Sequence, residues 1–363
     1  MNGSSQLPKV VVIGAGGVGV IGALSLCYKG LSNVSLAIRS DYDLVEKQGY
    51  KITSCDYGQF ESWKPHHVYR TVEDASQSGQ FFDYIVVTTK NIPDGPTHST
   101  VPQVIRPLVE SNHKLSRGRQ TNVLLMQNGI DIEKEIWSVF DKNQYHLNVL
   151  SGIQLIGSTK VAPGVIDHVG RDHLLVGAFE SENEEAVKAA KRFVELYRNE
   201  GKNHAEFDAS VRYSRWKKLL YNAAINTATA LVGLDVPRCL EFGVDRKSTE
   251  ENVFKPAMRE IISIAATEDV LLDESLITFF VEITRHIMFK PSMCVDHEKG
   301  QLMELEVILG NPLKIARKNG VQTPVLSMLY YLLVMVQGLL REKNGLLKFD
   351  ESKAELVETK QSL

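Results

Sequence analysis

Cysteine is scarce in this chain. The four thiols, Cys27, Cys55, Cys239 and Cys294, lie far apart with no Cys-x-x-Cys pair, which argues against a disulfide framework or a zinc knuckle and for reduced thiols in the cytoplasm. A basic excess is also lacking: 41 Lys and Arg against 44 Asp and Glu leave a formal charge of −3, whereas a nucleic-acid binder carries a strong positive balance. No uninterrupted apolar run reaches the ~18 to 20 residues of a membrane span. The longest, 325–340, is broken by Ser327 and Gln337 and reads as a buried core helix that could also supply a homodimer face. The first eight residues offer neither a basic n-region nor an apolar h-region, and Gln361-Ser362-Leu363 matches a peroxisomal tripeptide only loosely. His66-His67 and Asp296-His297-Glu298 lack metal-ligand spacing, so no metal is expected. Internal repeats and low-complexity tracts are absent.

What remains is the composition of a soluble globular protein, 43% hydrophobic and 23% charged over 363 residues, enough for two domains of ordinary size. Lys9-Val10-Val11-Val12-Ile13 is a continuous β-branched run, the mark of a strand covered on both faces. Gly14-Ala15-Gly16-Gly17-Val18-Gly19 follows directly and opens a helical pattern that runs through Tyr28 and stops at Gly30. In this strand-to-helix context, Gly-x-Gly-x-x-Gly predicts a dinucleotide site. Gly14 permits the tight turn, Gly16 lets backbone approach a pyrophosphate, and Gly19 lets helix and strand pack closely. The helix N-terminus supplies unpaired N–H groups. The second strand, 34–38, ends at Arg39-Ser40, where an NAD site usually carries Asp or Glu. A guanidinium there pairs with a 2′-phosphate, which predicts NADP(H), with Asp41 nearby as a counter-indication.

Further strands are predicted at 83–88, leading to Thr89-Lys90, and at 122–126, leading to Gln127-Asn128-Gly129. Lys90 and Asn128 then fall on the carboxyl rim where such sheets bind ligands, although Asn-Gly is equally a common turn pair. A helical pattern covers 101–110, and 111–120 reads as an exposed basic loop. Strand-like 149–156 precedes 165–168 and 173–178. Gly170-Arg171-Asp172 joins the last two as an antiparallel extension of the sheet. A helix is expected from about Asn183 to Gly201. Beyond Ala209 helical patterns dominate: 209–232, 248–269, 273–288, 298–319 and 323–341, with Asn319-Gly320 as a C-cap and Thr323-Pro324 as an N-terminus. The fold class is therefore an α/β Rossmann-type domain with an antiparallel extension (1–208), an all-α domain (209–341) and a charged, frayed tail (342–363). An active site is the ordinary expectation where such domains meet.

One helix has its polar residues in unusual places. Lys218, Asn222 and Asn226 are spaced i, i+4, i+8 and so fall within roughly 80° of one another on one face, between apolar shoulders at Leu219, Leu220, Ala223, Ala224 and Ile225. Taken alone, such a stripe is more often a solvated helix surface. After a cofactor domain, it has something polar to face.

Over roughly 9–341 the chain resembles the ketopantoate reductase family, of the 6-phosphogluconate dehydrogenase C-terminal-like group. The resemblance is carried by the glycine motif, Arg39, Thr89-Lys90, Gln127-Asn128-Gly129, Trp216-Lys217-Lys218-Leu219 with Asn222 and Asn226, Ser292, Glu304-Leu305-Glu306 with Gly310, and Gly320-Val321-Gln322-Thr323-Pro324. It implies NADPH-dependent reduction of 2-dehydropantoate to (R)-pantoate in coenzyme A biosynthesis. It further implies Lys218 as general acid, Glu304 as an active-site carboxylate, and Asn128, Asn222, Asn226 and Ser292 as substrate contacts. The cofactor would meet Gly14 to Gly19, Arg39, Lys90, Asn128 and Glu304. Hydride addition to a ketone leaves an alkoxide, and a lysine can both stabilise and protonate it. The chain departs from the family at Phe289, Leu309 and Val236, where Asn often stands. A reductase of another 2-oxo acid and a non-catalytic NADP-binding sensor are the alternative readings.

Overall fold

The computed structural model describes residues 7–116 and 118–357. Its chain separates into two units. The first takes the residues through Asn91, then His98–Gln127 and Ile132–Val211, and the second takes Ile92–Thr97, Asn128–Asp131 and the chain from Arg212 onward.

The first unit is built on Lys9–Ile13 (β1), in which Val10, Val11 and Val12 are fully buried, as a strand covered on both faces requires. The other strands of its sheet are Asn33–Ala37 (β2), Tyr50–Ser54 (β3), Gly58–Trp63 (β4), His67–Tyr69 (β5), Tyr84–Val87 (β6), Thr121–Leu125 (β7), Leu147–Ala162 (β8), Val165–Ala178 (β9) and His204–Phe207 (β10). They run in the order β4-β3-β9-β8-β7-β6-β1-β2-β5, with β10 beside β9. Because β1 is parallel to both β2 and β6, the strand order reverses at it, and the carboxyl end of β1 is the switch point where doubly wound sheets take ligands. The antiparallel extension exists, but its turn lies elsewhere than the sequence reading puts it. β9 is continuous through Gly170-Arg171-Asp172 and pairs antiparallel with β8. The reversal falls at Pro163-Gly164, with Gly164 at φ +68°. Gly170 stands opposite Gly157 in the ladder, and a Cβ on either would lie 2.8 Å from the other's nitrogen. Close strand approach, not a turn, explains this glycine.

The expected basic loop at 111–120 is in its first half the end of the helix Val101–Leu115, whose last turn carries His113 and Lys114, the cations a helix C-terminus favours. The helix after Asn183 is capped by the Asn183 side chain, which accepts from the Ala186 amide at 3.1 Å.

In the second unit, the predicted helix over 298–319 is two pieces. One helix, Ser292–Glu298, ends near Gly300 (φ +68°), and the chain becomes helical again only at Leu305. That over 273–288 shrinks to Ser275–Glu282. Pro324–Lys343 begins where predicted, but the Glu260 carboxylate, from another helix, accepts from the Val325 and Leu326 amides at 2.9 and 2.8 Å in place of a side-chain cap. At 20 residues this helix is long and apolar enough to cross a membrane, against the sequence reading. Nor is it wholly core. Leu326, Leu329, Leu333, Gln337 and Leu340 are buried, while Met328, Tyr331, Met335 and Leu339 face solvent. Buried Gln337 accepts from the Met303 amide and donates to the Met303 carbonyl, both at 3.0 Å. The tail forms a two-stranded hairpin, Phe349–Asp350 with Glu355–Leu356, where fraying is expected. The tripeptide 361–363 lies outside the described residues.

Candidate active site

In the first unit the glycine turn has the geometry its sequence demands. Gly14 sits at φ +113°, and a Cβ there would lie 2.6 Å from Thr88 Oγ1. Gly19 packs so tightly that a Cβ would meet the Gly14 carbonyl oxygen at 1.9 Å, whereas nothing lies within 4 Å of a Cβ on Gly16. Nothing therefore crowds Gly16 at the start of the helix Gly17–Tyr28 (α1), and as a glycine it has no side chain with which to cap the helix. The first N–H groups of α1 are suited to a pyrophosphate. Ala15 and Val18 pack against the core from this turn. Gly17 carries a constraint that the motif does not reveal: a Cβ would come within 2.4 Å of the Ser158 backbone carbonyl on β8.

Arg39 lies two residues past β2, exposed, with no hydrogen bond or ion pair among the described residues. Asp41, the counter-indication for NADP, is already engaged. Its carboxylate accepts from Lys160 Nζ at 3.0 Å, the Gly164 amide at 3.1 Å and Ser40 Oγ at 3.0 Å. Burial pushes this carboxyl up, but those three bonds outweigh it and hold the pKa below the ordinary value. Lys90 is exposed three residues beyond β6. Nearby, Gln127 donates to the Thr89 carbonyl at 2.6 Å.

In the second unit, the helix Val211–Tyr221 continues through a wide π-type turn, Asn222–Asn226, into Thr227–Val232. It is no surface helix. Trp216, Leu220 and Ala223 to Ile225 are fully buried, and Asn222 and Asn226 are 6% and 4% exposed. The π turn widens the helix and loosens its carbonyl ladder. Thr227 Oγ1 donates to the Ala223 carbonyl at 2.5 Å, and Thr229 Oγ1 donates to those of Ile225 and Asn226 at 2.8 and 3.0 Å. Asn226 Nδ2 donates to Asn222 Oδ1 at 3.1 Å, so the stripe survives the distortion, while Asn226 Oδ1 is buried without a partner. A buried amide oxygen left unpaired is costly, which makes it a place where a ligand hydroxyl would bind. Lys218 is half-buried on the same face, four residues before Asn222.

Asn128 belongs to this cluster. Its Nδ2 donates to Glu304 Oε2 at 3.0 Å across 176 positions of sequence, and Glu304 is 3% exposed. The turn that presents Asn128 is held from three sides. Gly129, at φ +100°, has no room for a Cβ because Val307 is 2.5 Å away, the Ile130 amide donates to the Val307 carbonyl, and Asn311 donates to the Ile130 carbonyl. Arg215, 5% exposed, donates to the Gly129 carbonyl at 3.1 Å. The segment Glu306–Gly310, which follows Glu304, packs against Asn222–Asn226. The neighbouring Glu306 has a different function, since its carboxylate accepts from Tyr330 at 2.6 Å and Lys314 at 3.3 Å. Ser292 opens a short helix that packs on Asn222–Asn226, but its side chain is exposed. At the departures from the family pattern, Val236 and Leu309 are fully buried, and the Val236 amide donates to the Phe289 carbonyl.

Sequence reasoning missed Arg215, although the signal was present. Arg215, Lys218, Asn222 and Asn226 follow the i, i+3, i+7, i+11 pattern of one helical face.

Comparison with known proteins finds the family described as "Ketopantoate reductase PanE/ApbA" over residues 10–181 and its "C terminal" part over 210–337. An uncharacterised Saccharomyces cerevisiae protein is 64% identical over 356 residues, covering 97% of this chain and all of that protein. The crystal structure of 2-dehydropantoate 2-reductase from Methylococcus capsulatus superposes with a TM-score of 0.74 at 30% identity, covering 92% of this chain and 97% of that one. A D-mandelate dehydrogenase with NADH and anilino(oxo)acetate shares the fold at a TM-score of 0.74 and 20% identity, with coverage of 92% and 99%.

Proposed function

Since the chain belongs to the ketopantoate reductase family of oxidoreductases, we propose that it reduces 2-dehydropantoate to (R)-pantoate with NADPH, Lys218 being the proton donor. The observation that carries this reading is the bond from Asn128 to buried Glu304. It brings two distant family positions together in the unit that holds the Lys218–Asn222–Asn226 stripe. When bound, the reduced nicotinamide supplies a hydride to the ketone carbon. The oxygen left behind takes a proton from Lys218 Nζ, so the ketone becomes a secondary alcohol and the lysine becomes neutral. Asn222 and Asn226 orient the acid without adding charge. Asn226 Oδ1 accepts a substrate hydroxyl, and Ser292 is a further contact. Glu304 fixes the Asn128 amide. Gly14 to Gly19 bind the pyrophosphate, and Arg39 binds the 2′-phosphate, with Lys90 as an additional cofactor contact.

Lys218→Ala is expected to lower kcat by about 10²-fold or more while the Kd for NADPH changes little. A variant with near-normal kcat would remove Lys218 from the mechanism.

A second reading concerns the acid. Val236, Leu309 and Phe289 replace amides with apolar side chains, and this favours a 2-oxo acid with a more hydrophobic side chain. Single-turnover oxidation of bound NADPH by 2-dehydropantoate, 2-oxoisovalerate and phenylglyoxylate ranks the two substrate classes. No oxidation by any of them would instead support a non-catalytic NADP-binding sensor.

A further inference from the structure

The outer half of β8 passes two parts of the nucleotide site in turn. Ser158 lies against the start of α1, where a Cβ on Gly17 would be 2.7 Å from Ser158 Oγ, and that hydroxyl is buried with no hydrogen-bond partner. Two residues on, Lys160 reaches the end of β2, with Nζ 3.0 Å from Asp41 Oδ2 and 3.3 Å from Ser40 Oγ. Ser158, Thr159 and Lys160 pair in unbroken register with His168, Asp167 and Ile166. Ser158 and Lys160 therefore share a face, and two residues advance the strand by about 6.6 Å. One wall thus runs from the glycine turn to the Ser40-Asp41 segment that follows β2.

We propose that Lys160 is a specificity residue for the cofactor's 2′-phosphate, acting with Arg39 and Ser40 and held in place by Asp41. The inference rests on the NADPH reading above. An ammonium has three donors, and the contacts with Asp41 and Ser40 take two. The third is left for an anion beside Ser40, and the Lys160 side chain is 32% exposed against 5% for that of Asp41. Asp41 is the residue type that would repel a 2′-phosphate, but Lys160, the Gly164 amide and Ser40 all donate to its charge. The carboxylate is thus converted from a ribose ligand into the anchor of a phosphate ligand. Arg39 and Lys160 together present two cations against one shielded carboxylate, the balance a phosphate monoester requires.

The test compares 2′,5′-ADP with 5′-AMP, two probes that differ in the 2′-phosphate and need no turnover. Their dissociation constants are measured by calorimetry on the full chain and on Lys160→Arg, Lys160→Met and Asp41→Asn/Lys160→Met. Wild type should prefer 2′,5′-ADP by tenfold or more, and Lys160→Met should reduce that preference by about tenfold, on the scale of one charge-assisted contact to phosphate. Lys160→Arg should retain it. The double variant leaves no unpaired carboxylate to destabilise the fold and should stay as poor as Lys160→Met. Restored preference in the double variant would show that Lys160 only neutralises Asp41, overturning direct contact. Undiminished preference in Lys160→Met would overturn the inference and leave the NADPH reading standing. No preference in wild type would overturn both.

Discussion

Asn226 and Asp41 make contrasting contributions to the fold. Asn226 keeps Oδ1 buried and unpartnered in the middle of a helix. Asn226→Ala removes the bond to Asn222 Oδ1 and should cost about 1–3 kcal/mol in urea denaturation whatever the role of Oδ1, so the discriminating readout is kinetic: if that oxygen serves a substrate, the KM for the acid rises tenfold or more. An unchanged KM would make the amide structural. Asp41 differs in that its contribution depends on pH. Its pKa is lowered in the fold from the ordinary 3.8, so its contribution to stability is present above that value and is lost as pH falls through the folded one. Asp41→Asn should therefore cost about 1–3 kcal/mol at pH 7, and the gap from wild type in denaturation midpoints should narrow as pH is lowered towards 3.

Among the elements, the glycine turn separates two demands that the motif merges. Gly16→Ala meets open space and Gly17→Ala meets backbone at 2.4 Å. The first should fold with an unchanged Tm and bind NADPH at least tenfold more weakly, and the second should lower Tm before cofactor is added. Equal Tm values for the two would contradict the packing. The turn, β1 and the polar stripe were legible because each is a local pattern: a β-branched run, glycines at fixed offsets, a four-residue period. Three features were not. The short strands β3, β4, β5 and β10 take their identity from neighbours in the sheet, β4 being mostly exposed with no clean alternation. Gly170 looked like a turn because local sequence cannot register the facing Gly157. The bond from Asn128 to Glu304 spans a separation at which no periodicity speaks, so only the resemblance to a family joined them. Arg215 was legible but overlooked, since an arginine on a helix is ordinarily a surface residue.

On the scale of the molecule, the outer face of Pro324–Lys343 turns large apolar side chains to solvent. Met328, Tyr331, Met335 and Leu339 recur at helical spacing and are each close to half exposed or more, a stripe of the kind that marks an interface. The expected outcome is a homodimer in light scattering after size exclusion, with Met335→Glu shifting it to monomer and leaving the circular dichroism unchanged. A monomeric wild type at micromolar concentration would rule this out. The helical unit is also not one stretch of chain. It includes 92–97, where Asp94 receives Gln337 at 3.3 Å and Arg341 at 2.5 Å, and 128–131, where Arg215 and Arg212 find the Gly129 carbonyl and the Asp131 carboxylate. Anyone building chimaeras between relatives by cutting near residue 211 would separate Arg215 from the Gly129 turn and Arg212 from Asp131 of their own chain, leaving Arg212 its second partner Glu268. The portable piece of this protein has three parts, and a crossover that respects only the visible boundary would divide the bonds that tie them together.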